Sequence, residues 1–123
     1  MAEDDRLAVD ELAARLGDPA LTLVDVRTEA EFSGAGGYPC DPRQGHLPEA
    51  RHIPLDELVA RSPAEIRELM GLPDGAEIVV YCHSGSRSAL AAELLRAAGY
   101  AAQNYEGSWH EWSRRDDLPA ESD

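Results

Sequence analysis

The sequence predicts a three-layer α/β/α domain built around a mostly parallel central sheet of about five strands. Short apolar runs of the kind that fill buried parallel strands alternate with segments of helical spacing. Several of those helical segments open on capping signatures or close on glycine, so their limits are marked. At 123 residues with 43% hydrophobic side chains, the chain is long enough to bury one independent core.

Taken in order, residues 9–16 (Val-Asp-Glu-Leu-Ala-Ala-Arg-Leu) have helical spacing and stop at Gly17, ahead of Asp18-Pro19. Residues 21–26 form a short apolar run suited to a buried strand. Thr28-Glu29-Ala30-Glu31 is a capping box, with Thr28 as N-cap and Glu31 reaching back to it. Across 33–45 glycine and proline recur without periodicity, which predicts a long surface loop. His52-Ile53-Pro54 reads as a brief strand ended by its proline. Ser62-Pro63-Ala64-Glu65 is a second capping box, with proline in the first helical position, and opens a helix to about Met70. The strongest strand signal is 77–81, Glu-Ile-Val-Val-Tyr. A helix over 87–98 places Leu90, Leu94 and Ala97 on one face and closes at Gly99. Residues 101–105 form a last strand, and Ser108-Trp109-His110-Glu111 caps a final short helix. No repeat or linker interrupts this pattern, so one domain is expected over 7–119, with 120–123 a flexible tail.

Charge and composition narrow the function. Eleven basic against 24 acidic side chains leave a formal charge of −13, and every basic residue is arginine. So negative a surface repels phosphate backbones and anionic lipid; neither nucleic acid nor a membrane is an expected partner. No stretch approaches the roughly 20 apolar residues of a membrane span. Residues 1–6, Met-Ala-Glu-Asp-Asp-Arg, lack the apolar segment of a signal peptide, so the expected compartment is the cytoplasm. Two cysteines in that setting read as free thiols rather than a disulfide framework. A small anionic substrate would need a local positive field, from arginines in a cleft, backbone N–H groups or a helix N-terminus.

The chemistry concentrates where the strand 77–81 runs into Cys82-His83-Ser84-Gly85-Ser86-Arg87-Ser88 and a helix follows. Ligands bind at the carboxyl ends of strands in parallel α/β sheets. A loop of small residues there lets successive N–H groups converge on one point, forming an anion nest backed by the helix N-terminus. A cysteine on its floor has its thiolate stabilised, and the thiolate is the nucleophile. Alone, Cys82 would read as one more buried strand-end thiol. The complete Cys-x4-Arg-Ser loop between strand and helix shifts the balance to catalysis.

That loop resembles the active-site loop of the rhodanese family, whose members place the persulfide-forming cysteine first in a six-residue loop. Three further stretches carry the resemblance, in the family's order: Asp25-Val26-Arg27 before Glu31-Phe32, residues 45–54 (Gly-His-Leu-Pro-Glu-Ala-Arg-His-Ile-Pro), and Glu106-Gly107-Ser108-Trp109-His110-Glu111-Trp112. It spans roughly 7–119, and the Gly-Ser-Trp-x-Glu-Trp ending looks most like the catalytic half of the tandem-domain thiosulfate and mercaptopyruvate sulfurtransferases. The resemblance implies a thiosulfate sulfurtransferase with Cys82 as catalytic residue and no cofactor. Arg27, His83, Ser84, Gly85, Ser86, Arg87 and Ser88 would bind substrate. Its partners would be a small anionic sulfur donor and a thiol or cyanide acceptor, with a protein acceptor also open.

Two other functions stand beside this one. The cell-cycle dual-specificity phosphatases share the fold but use a loop one residue longer, Cys-x5-Arg, which widens the cradle for phosphate. Many rhodanese-like domains are docking or regulatory modules that have lost the cysteine, which this chain retains. Among the remaining residues, Arg27 is either a substrate contact or a structural partner of Asp25, and His83 either flanks the anion or faces solvent. Cys40 is either a resolving thiol or a solvent-facing one. His46 and His52 show no zinc-ligand spacing, so no metal is expected; His46 reads as a backbone anchor. Trp109 and Trp112 read as core.

Overall fold

The computed structural model describes residues 7–122. Its elements are α1 (Val9–Ala14), β1 (Leu21–Asp25), α2 (Glu29–Ser33), β2 (Arg51–His52) and α3 (Leu55–Val59), followed by α4 (Pro63–Met70), β3 (Glu77–Tyr81), α5 (Ser86–Ala97), β4 (Ala101–Asn104) and α6 (Ser108–Trp112). All strand pairs are parallel, in the order β2-β1-β3-β4. The α/β class read from the sequence is the observed one. Among the described residues the sheet has four strands rather than about five. Just after the Gly/Pro-rich segment, His46 makes a single antiparallel bridge with Glu121, too narrow to make a fifth strand. The edge strand β2 is two residues long and runs into Ile53-Pro54, where proline denies the ladder a donor.

Alternation along β3 divides the core in two. Ile78, Val80 and Cys82 face a cluster that includes Leu58, Ile66, Met70, Ala91 and Leu95, so α3, α4 and α5 cover that side. Val79 and Tyr81 face Leu12, Leu47, Tyr105, Trp109 and Trp112 on the other, under α1 and α6. Both indoles are buried with their N–H groups satisfied, by the Arg43 carbonyl at 3.0 Å and the Pro119 carbonyl at 2.8 Å. Helix α3, absent from the sequence reading, is a short turn after Pro54 whose Leu58 is fully buried.

Both capping boxes form as read: Thr28 accepts from the Glu31 N–H and Ser62 from the Glu65 N–H. The third signature works otherwise. Ser108 does not cap α6, which starts after Gly107; its hydroxyl accepts the Cys82 N–H at 3.0 Å and donates to the Tyr105 carbonyl at 2.8 Å. Within the segment read as a tail, Glu121 exchanges two backbone hydrogen bonds with His46 at 2.8 and 2.9 Å.

Candidate active site

β3 delivers Cys82 to the carboxyl edge of the sheet, and α5 begins four residues later. Between them Gly85 adopts φ +100° as the residue preceding α5, a left-handed conformation that glycine takes without strain. A Cβ there would also stand 2.8 Å from the Glu106 carbonyl oxygen, so the position is closed to other residues on two counts. The loop is fastened from outside. Trp109 and His110 donate their N–H groups to the carbonyls of Cys82 and His83, at 2.9 and 2.8 Å, and Asn104 donates to the Gly85 carbonyl at 3.1 Å. With carbonyls drawn outward, amides are free to turn inward.

They turn onto sulfur. Cys82 Sγ accepts from the Gly85 N–H at 3.1 Å, the Ser88 N–H at 3.4 Å and the Ser88 hydroxyl at 3.3 Å. The residue is 1% exposed. Burial by itself pushes the thiol up, but the Ser88 hydroxyl and the N–H groups of Ser88, Gly85 and Ser84 outweigh it and hold Cys82 below the ordinary thiol range. The N-terminus of the twelve-residue α5 adds its partial positive charge in the same place. A thiolate, or any anion of similar size bonded to it, is what this arrangement stabilises.

Residues 8–115 match the family described as the rhodanese-like domain. The chain belongs to the rhodanese family. It is 35% identical over 135 residues to the thiosulfate sulfurtransferase of Corynebacterium glutamicum, covering 98% of this chain and 45% of that protein. A Pseudomonas aeruginosa protein named probable 3-mercaptopyruvate sulfurtransferase is 36% identical over 115 residues, with coverages of 82% and 39%. A solved structure named probable thiosulfate sulfurtransferase superposes with a TM-score of 0.82 at 44% identity, over 97% of this chain and 49% of that one. This rhodanese chain thus spans about half the length, or less, of each of these three.

Within the rhodanese frame the expected site residues fall into two sets. Cys82, Ser84, Gly85, Ser86 and Ser88 form the loop as read, with Ser84 and Ser86 exposed at its rim. The arginines are otherwise engaged. Arg87 makes a two-pronged bond to Glu31, at 2.9 and 3.0 Å. Burial pushes Glu31 up, yet that fork and the Thr28 N–H and hydroxyl outweigh it and hold its carboxyl at about 2. Arg27 is 1% exposed, pairs with Asp25 at 2.7 Å and lies between the Tyr81 and Trp109 rings. Its guanidinium also donates to the Gly45 carbonyl. Of the two roles weighed for Arg27, the pairing with Asp25 is present. His83 does not face solvent, the second placement weighed for it: its ring stacks on Tyr38 at 3.7 Å, with Nε2 3.0 Å from a carboxylate oxygen of Asp41.

Sequence reasoning passed over Asp41, Ser108 and Asn104. Asp41 sits between Cys40 and Pro42 in the glycine-rich segment, and a carboxylate flanked by prolines one residue either side of Cys40-Asp41 was the available signal. Ser108 was read for its local capping role, which hid its hydrogen bond to a residue 26 positions away. Nothing in the local pattern marks Asn104. His46 is the backbone anchor expected of it, Nδ1 lying 2.7 Å from the Phe32 carbonyl.

Proposed function

We propose that this protein is a sulfurtransferase that carries sulfane sulfur as a persulfide on Cys82, with thiosulfate a donor and a thiol or cyanide the acceptor. The observation that supports it most is the buried Cys82 Sγ receiving three hydrogen bonds from Gly85 and Ser88. In the first step the Cys82 thiolate attacks the outer sulfur of thiosulfate. The donor's S–S bond breaks, and sulfite departs with the bonding pair. The persulfide anion left behind is held by the same inward N–H groups, which act as an oxyanion hole does on developing charge. In the second step the acceptor attacks the terminal sulfur, the persulfide S–S bond breaks, and the Cys82 thiolate returns. No external oxidant or reductant is needed. Because Arg87 and Arg27 are bound to Glu31 and Asp25, recognition of the donor's anionic end falls to backbone groups and the rim serines.

Cyanide-dependent thiosulfate turnover by the purified protein tests the proposal. Treatment with thiosulfate is expected to add one sulfur at Cys82 by mass spectrometry. Cys82→Ser is expected to abolish both signals while leaving the fold intact, since an oxygen cannot carry the persulfide. Appreciable sulfur transfer by the folded variant would exclude the role of Cys82.

A further inference from the structure

Beside the Cys82 loop, two distant stretches of the chain converge, the adjacent pair Cys40-Asp41 and His83. Cys40 Sγ, a carboxylate oxygen of Asp41 and a ring nitrogen of His83 all lie within 4.8 Å of one another. Asp41 is 5% exposed and His83 9%. Asp41 Oδ2 and His83 Nε2 stand 3.0 Å apart, yet their alignment gives neither a hydrogen bond. Buried polar atoms without a partner are uncommon and call for a missing third party. The surroundings fix the donors in place. Tyr38 stacks on the His83 ring at 3.7 Å, and Arg114 binds the other Asp41 oxygen, Oδ1, at 2.8 Å and the Cys40 carbonyl at 3.1 Å. His110 Nδ1 lies 3.6 Å from the same Oδ1. Oδ2 is left facing His83.

We propose that Cys40, Asp41 and His83 form a binding site for a thiophilic divalent metal ion, with zinc(II) the best match. One thiolate, one imidazole and one carboxylate make a borderline-soft donor set, and three protein ligands leave a fourth tetrahedral position open. With metal–ligand bonds of about 2.0–2.3 Å, donor atoms in a tetrahedral shell stand roughly 3.3–3.8 Å apart. A cluster no wider than 4.8 Å closes to that spacing by small side-chain rotations, the exposed Cys40 moving most. As the sulfur–metal bond forms, Cys40 releases its thiol proton to solvent and no electron changes hands, so affinity rises with pH. Arg114 is the outer support that aims Asp41. The ion would bring positive charge to the residue next to Cys82 in a chain of net charge −13. Its open position suits a sulfur-bearing anion. Metal binding itself does not depend on the sulfur-transfer cycle.

Cobalt(II), a spectroscopic stand-in for zinc, tests the site in the full-length Cys82→Ser protein, where Cys40 is the remaining thiol. The expected result is saturable one-to-one binding with a thiolate-to-cobalt charge-transfer band, which zinc discharges stoichiometrically. Cys40→Ser in that background should abolish the band. His83→Gln and Asp41→Asn should each weaken binding by more than the roughly 10- to 100-fold that loss of an outer partner costs. Near-UV dichroism of Trp109 and Trp112 checks folding, and if Asp41→Asn misfolds, the other two variants decide. No charge-transfer band at saturating cobalt would overturn the proposal. So would a band indifferent to His83→Gln, which would mark Cys40 as a lone surface thiol.

Discussion

The loop 82–88 and the segment 34–45 flank the same cysteine-bearing edge of the fold, yet they are held in opposite ways. The first is short and is shaped by its neighbours in sequence: a strand before it, a helix after it, and Gly85 at φ +100° between them. The second has little regular structure and is shaped from a distance. Arg43 donates to four carbonyls, those of Trp112, Ser113, Arg115 and Leu118, at 2.7–3.2 Å. It stitches the loop to the end of α6, where helix carbonyls lack partners and cations are favoured. The contrast teaches that one kind of loop is built to converge its own amides and another borrows order from elsewhere. Only the first kind announces itself in sequence.

The sharpest way to break the comparison is to remove the borrowed order. Arg43→Ala is expected to lower unfolding stability by about 3 kcal/mol, since several charge-assisted bonds end at once and leave carbonyls unsatisfied. Chemical denaturation measures this. A loss below about 0.5 kcal/mol, typical of an unremarkable surface site, would show that the segment holds itself.

Next comes the tie of the first loop to α2, just ahead of the second: Glu31 with Arg87. Glu31 is held at about 2 against an ordinary 4.5, so its contribution is fully present above pH 4.5 and lost as pH falls toward 2. At about 1.4 kcal/mol per unit, and discounted because Arg87 is partly exposed, the loss is on the order of 2 kcal/mol. Glu31→Gln should flatten that part of the stability–pH curve; an unchanged acid slope would place the sensitivity elsewhere.

The smallest effect is expected inside the cradle. Ser88→Ala removes one donor from Cys82 Sγ but keeps the Ser88 position's N–H. The thiol should therefore rise from its lowered value, and the acid limb of the alkylation rate profile should move to higher pH. Stability should barely change. A profile that stays in place would assign the thiolate's stabilisation to backbone alone.

These differences also explain what was legible. The strands, the two working capping boxes and the Cys82 loop could be read because each is encoded within a handful of adjacent residues. The role of Ser108 could not, because its hydroxyl was recruited across 26 positions and the local capping pattern pointed elsewhere. The pairing of Arg87 with Glu31 was hidden for a related reason, the two lying 56 positions apart. Helix α3 is one turn long and lacks the periodicity that would reveal it. The approach of His83 to Asp41 is a fact of topology, invisible without the fold.

The near-complete burial of Cys82 has a consequence for how cargo would be handed over. A thiol this deeply buried is shielded from bulky oxidants, which protects it from the irreversible rungs of sulfur oxidation. Loading a second sulfur extends the side chain by about 2 Å, the length of an S–S bond. On that reading the empty carrier would be withdrawn, while the charged one would reach toward the rim where a recipient can touch it. On the proposed cycle, depth in the loop would act as an occupancy signal, advertising the sulfur only when there is sulfur to give.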